Sequence, residues 1–120
     1  MSDEDGIRRT LVRYTRLFDA KRWDELATIF TEAASIVSRR GTFTGRSNVI
    51  ADLKNAITPG YEGLLFASNV LITIDGDGAT AVSDFLEIEK GIILAVGTYL
   101  DTLVKSGGQW LLSRKEIRLT

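Results

Sequence analysis

The sequence predicts an α+β domain in which three N-terminal helices are packed in a strongly curved antiparallel sheet. Two observations carry this. Apolar residues recur at about 3.6-residue spacing through the first part of the chain, and the period changes to two from Gly63 onward. The later part contains no proline and is cut by three glycine-bearing corners, the pattern of a meander of long strands. At 120 residues the chain is one domain, long enough to bury a core without disulfides or metals.

The first helix is predicted over Asp3 to Asp19. Ser2 or Asp3 caps it, and Asp3, Glu4 and Asp5 suit the positive end of the macrodipole. Ile7, Leu11, Tyr14 and Phe18 form one apolar stripe, while Arg8, Arg9, Arg13 and Arg16 lie mostly off it on a solvated face. After the corner Ala20-Lys21-Arg22, a second helix places Trp23, Leu26, Ala27 and Phe30 at i, i+3, i+4 and i+7. So short a connection makes the two helices spatial neighbours. Ser35 to Ser38 is a short strand, turned at Arg39-Arg40-Gly41 so that Thr42-Phe43-Thr44 pairs back as a hairpin. A third helix follows Gly45, with Ile50, Leu53 and Ile57 on one face, and stops at Thr58-Pro59-Gly60.

The meander strands are read as Leu64 to Ile74, Ala79 to Lys90, Ile92 to Lys105 and Gln109 to Leu119. Strands this long twist and curl. The third of them is apolar on both faces, with Ile92, Leu94, Val96 and Leu100 one way and Ile93, Ala95, Tyr99 and Leu103 the other. A sheet that only covered helices would have one polar face, and no helix is left to cover the outer one. The expectation is a homodimer through the sheet face.

Composition narrows the function classes. Apolar residues at 44% and charged residues at 26% are those of an ordinary folded domain. The net charge is −1 and the bases are scattered among acids, so nucleic acid is not an expected partner. No apolar run approaches the length of a membrane span, and the acidic start is unlike a secretory signal, which makes cytoplasmic the expected location. With no cysteine there is no thiolate nucleophile or disulfide, and with no histidine the commonest proton shuttle and metal ligand is missing. No nucleophile elbow, phosphate loop or metal-ligand cluster occurs, so neither metal nor cofactor is expected; Asp75-Gly76-Asp77-Gly78 is a hairpin turn, too short for a calcium loop.

Several short stretches resemble one family. Arg13-Tyr14 with Asp19, then Trp23-Asp24-Glu25-Leu26 and Ile29-Phe30-Thr31, is similar to the helical opening of the SnoaL-like branch of the nuclear transport factor 2-like (NTF2-like) superfamily. Gly45 and Ile50 match its third helix, and Asn69 with Ile74 to Ala79 its first long strand and hairpin. Gly97 to Asp101, Gly107 to Trp110 and Arg114 resemble its last two strands. The resemblance implies an NTF2-like cone with an apolar cavity between sheet and helices, and relatives that include polyketide cyclases and scytalone dehydratase-like enzymes. It does not by itself choose a function.

The candidate catalytic residues are Asp19, Tyr14 and Asn69. Asp19 falls where relatives place an aspartate, and it sits at the negative end of a helix, a position that costs stability without compensation. Tyr14 lies on the buried stripe, where relatives orient a substrate carbonyl with tyrosine hydroxyls. Relatives commonly carry histidine just before the asparagine; here the run is Leu64-Leu65-Phe66-Ala67-Ser68-Asn69, so an aspartate–histidine pair cannot form. Glu87 and Arg114 are expected as a cross-strand ion pair. The expected ligand-cavity wall is Phe18, Phe30, Phe43, Phe66, Phe85, Leu94 and Trp110. Three readings follow: a protein binding a small apolar organic molecule, with or without histidine-free acid–base chemistry at Asp19; a polyketide-cyclase-like or dehydratase-like lyase or isomerase; and a non-catalytic dimeric interaction module.

Overall fold

The computed structural model describes residues 1–120. Helix α1 spans Asp3–Asp19, and Ser2 caps it by accepting the Asp5 N–H at 3.1 Å. Helix α2 covers Trp23–Ala27, strand β1 Phe30–Ser38, β2 Gly41–Thr44 and helix α3 Arg46–Asn55. The long strands are β3 Leu64–Asp75, β4 Gly78–Glu89, β5 Ile92–Ser106 and β6 Gln109–Leu119. Two-residue turns join them at Gly76-Asp77, Lys90-Gly91 and Gly107-Gly108, and both residues of the last two turns have positive φ. That is the backbone a tight hairpin between right-twisted strands demands.

The six strands make one sheet in the order β2-β1-β6-β5-β4-β3. Neighbours are antiparallel except β1 and β6, which run parallel. This parallel pairing requires a strand earlier than the sequence pattern suggests. β1 begins at Phe30, and α2 stops at Ala27, where the Thr28 hydroxyl donates to the Glu25 carbonyl at 2.6 Å. The i+7 position of the helical pattern is therefore a strand residue, held opposite Leu112.

The concave face of the sheet holds the core. Ile7, Tyr14 and Phe18 from α1, Leu26 from α2, Val49 and Leu53 from α3 and Phe85, Tyr99, Leu103 and Leu112 from the sheet belong to one buried cluster. α1 is fastened to β6 by the Thr10 hydroxyl, which donates to the Trp110 carbonyl at 2.6 Å. The Trp110 indole N–H reaches Asp3 at 3.2 Å, and Lys105 pairs with the same carboxylate at 2.9 Å. The convex face is apolar and uncovered, with Leu64, Phe66, Leu71, Val82, Ile93 and Val96 all exposed. No helix is long and apolar enough to cross a membrane.

Candidate functional site

Between α1, α3 and the far end of the sheet lies a hollow of about 150 Å³. Tyr14 and Phe18 reach it from α1 and Leu53 from α3, with Ala56 and Ile57 from the segment after α3. Leu65, Phe85, Ala95, Tyr99, Ile117 and Leu119 supply the sheet side. Only two of its thirteen lining residues are charged, Arg40 and Glu87. Phe85 and Tyr99 stack at 4.2 Å between centroids with nearly parallel rings, and Tyr14 meets Tyr99 edge-on at 5.7 Å. Gly97 makes room for this: a Cβ there would lie 2.7 Å from the Phe85 ring and closer still to the Arg118 carbonyl oxygen.

The polar groups are ordered around the rim. Arg40, on the β1–β2 turn, makes a two-pronged contact to Asp52 of α3 at 2.9 and 3.0 Å. Tyr61, in the segment between α3 and β3, donates its hydroxyl to Glu87 in a short hydrogen bond, and Lys21 donates to the Tyr61 carbonyl. Burial and the Glu87 carboxylate push the Tyr61 hydroxyl pKa up. Asp19 accepts the Leu65 N–H at 3.1 and 3.3 Å. Burial raises its pKa, the Leu65 N–H and Arg16 oppose the rise, and the charge of Glu87 adds to it.

Tyr14 and Tyr99 are 2% and 3% exposed, and burial pushes both phenols far up, so both stay protonated. Neither hydroxyl, nor that of Ser83, hydrogen-bonds to another protein group, yet no fully enclosed side-chain oxygen or nitrogen is left without a partner. The three hydroxyls therefore open onto cavity space.

Of the residues expected from sequence, Tyr14, Phe18 and Phe85 line this hollow. Asp19 stands at the rim, accepting a backbone N–H at the start of β3, rather than on the wall. Asn69 is placed elsewhere: it has φ +55°, lies in a register shift between Ser68 and Leu71, and donates to Asp84 on the exposed convex face. The extra residue reverses strand parity. Phe66 precedes it and points outward, 53% exposed. Leu94 is the unpaired residue of a second irregularity, between the partners of Glu87 and Ile88, and is 49% exposed; Ile93 pairs with Ile88 and is exposed as well. Phe30 is wholly buried core, Phe43 packs half-buried on β2, and Trp110 clamps the start of α1, so none of the three lines the hollow. Glu87 does not pair with Arg114, which bonds Glu116 instead. Tyr61, Tyr99, Arg40 and Glu87 were not singled out as a set from sequence; only strand parity at Glu87 and Tyr99 hinted at them.

A wider, open groove of about 610 Å³ between α2 and α3 carries Asp24, Glu32, Arg46 and Lys54, and its mixed charges converge on no point.

The SnoaL-like domain profile matches residues 1–116. No curated protein matches the chain by sequence. Among solved structures, a putative scytalone dehydratase from Novosphingobium aromaticivorans is 26% identical with a TM-score of 0.86, covering 98% of this chain and 84% of its own. An NTF2-like protein with a cystatin-like fold from the same species is 23% identical at a TM-score of 0.83, covering 98% and 81%. The hexachlorocyclohexane dehydrochlorinase LinA-type3 from Novosphingobium barchaimii is 16% identical at 0.85, covering 98% and 86%. With the profile spanning nearly the whole chain and an NTF2-like fold of a curled sheet around three helices, the protein belongs to the SnoaL-like family.

Proposed function

We propose that the protein binds a small, mainly apolar carbonyl compound in the hollow beneath the sheet and moves a proton on it without histidine. The observation that carries this is the pair of buried tyrosine hydroxyls, Tyr14 and Tyr99, free of protein partners in an otherwise apolar space whose lining includes Glu87. A volume of about 150 Å³ is the scale at which an apolar protein cavity accepts a benzene ring. The ligand is then a single small ring or a short chain.

Two neutral phenols can donate to the carbonyl oxygen and stabilise the negative charge that gathers there when a neighbouring C–H is ionised. The proton acceptor comes from the rim carboxylates. Burial raises the Asp19 pKa, and Glu87 faces the hollow and accepts the Tyr61 hydroxyl. The likeness to a putative scytalone dehydratase supports the lyase or isomerase version of this reading.

The test is deuterium uptake at the α-carbon of cyclohexanone in heavy water, followed by NMR. Uptake above buffer that is lost in Glu87→Gln or Asp19→Asn supports proton transfer and assigns the base. Binding without uptake leaves a carrier; no chemical-shift change on titration refutes the ligand site.

A second reading, a dimeric interaction module, rests on the uncovered convex face. Its apolar residues are contiguous on β3 to β5, and a second copy would cover them. Sedimentation at micromolar concentration tests it; a lone monomer refutes it.

A further inference from the structure

A second hollow, of about 170 Å³, lies on the other side of the Tyr14–Tyr99 wall, between α1 and the β3–β4 side of the sheet. Exposed Arg8 and Val12 with Thr15 border it on α1, and Ala67 and Val70 on β3. Deeper in, it meets three buried polar residues: Ser83, Asp101 and Lys115.

Lys115 is an unusual occupant of a core. Its side chain is 1% exposed, and its Nζ lies 3.2 and 3.4 Å from the two oxygens of Asp101, also 1% exposed. The same nitrogen sits over the faces of Tyr14 and Tyr99, 4.0 and 3.5 Å from their centroids. A buried ion pair gains little stability over two apolar residues of the same volume, so folding energy does not explain why this one borders a cavity. The Ser83 hydroxyl, 4% exposed and without a protein partner, is a free donor in the same space.

We propose that Lys115 is a nucleophilic amine that condenses reversibly with a small aldehyde or ketone admitted through this hollow. The ammonium passes one proton to Asp101, and the freed nitrogen lone pair forms the C–N bond as the carbonyl π pair moves onto oxygen. That oxygen takes the second amine proton, then leaves as water with the proton returned by Asp101. An iminium with one N–H remains. The balance is ammonium plus carbonyl giving iminium plus water, with no oxidant or reductant. The cationic product keeps the surroundings of the ammonium it replaces, two ring faces and one carboxylate. Ser83 can donate to the carbonyl oxygen during attack. Burial pulls the Lys115 pKa down and pushes that of Asp101 up, which eases the first proton transfer. The volume restricts the partner to a few carbons. This site is separate from the apolar hollow, so either reading can fail alone.

The probe is propanal with sodium cyanoborohydride on the full chain, followed by peptide mass mapping. Lys115 is expected to acquire a propyl group ahead of the exposed Lys21, Lys54, Lys90 and Lys105. Val12→Phe narrows the entrance without touching the pair, and should remove the label from Lys115 while leaving the exposed lysines reactive. An unmodified Lys115 under conditions that alkylate the others overturns the proposal, and so does equal labelling of Lys115 in the narrowed variant. Should that variant fail to fold, the order of labelling in the parent decides.

Discussion

Replacing Lys115 by methionine deletes the ammonium but keeps most of the side chain's volume. The Asp101 carboxylate has no other hydrogen-bond partner and lies 1% exposed, so the substitution strands a charge inside the core. Removing one member of such a pair costs about 3–5 kcal/mol. Against the roughly 5–15 kcal/mol of a typical domain, that is about a fifth or more of the total stability. The companion variant, Lys115→Met with Asp101→Leu, removes both charges and should return to within about 2 kcal/mol of the parent, since an apolar pair is often neutral or better. Urea unfolding at neutral pH, followed by the fluorescence of Trp23 and Trp110, measures all three. The single variant should recover part of its loss in acid, where the stranded Asp101, whose pKa burial already raises, takes up a proton in the folded state. A single replacement costing less than about 1 kcal/mol would refute the reasoning, as would a double variant no more stable than the single one.

Other outcomes follow from the same contacts. Folded Asp19 holds its proton to higher pH than it does unfolded, so its ionised form costs stability at neutral pH and the cost disappears as pH falls through the folded pKa towards the unfolded one. Asp19→Asn should therefore gain stability relative to the parent at neutral pH, with the gain shrinking in acid; parallel pH–stability curves would contradict this. Thr10→Val leaves the buried Trp110 carbonyl without its 2.6 Å donor and should cost about 1–3 kcal/mol by thermal unfolding. Gly63→Ala drives a Cβ into the Tyr61 ring, so the hydrogen bond to Glu87 should break and the Tyr61 hydroxyl pKa, read by ultraviolet titration, should fall. On the convex face, Ile93→Lys should shift any dimer to monomer in sedimentation without lowering the melting temperature of the fold.

The element pattern was readable because it is local. Helical spacing in Ile7, Tyr14 and Phe18, the Ser2 cap and the glycine corners each act over a few residues, and they placed α1, α3 and the four long strands close to their observed ends. Side-chain direction was readable only between irregularities. Parity counted from Leu65 fails once Asn69 adds a residue, and parity counted back along β5 fails at Leu94. Both bulges depend on how a long sheet bends around helices, which no short window of sequence specifies. Asn69 was misplaced for that reason, whereas Phe66 and Leu94 alternate regularly with the wall residues Leu65 and Ala95 and were read as interior because they are large and apolar.

The amino-acid order alone determined that a curled sheet would wrap three helices, that no imidazole or thiolate could act, and that Tyr14 would be buried; these follow from periodicity and composition. Tertiary structure alone decided that β1 would lie parallel to β6, that Glu87 would face a hollow with Tyr61 on it, and that Lys115 would meet Asp101 between two tyrosine rings. β1 meets β6, and Tyr14 covers the Asp101–Lys115 hairpin pair, from distant parts of the chain, and the chemistry of these groups depends on exclusion from water, which exists only after the chain has closed over them.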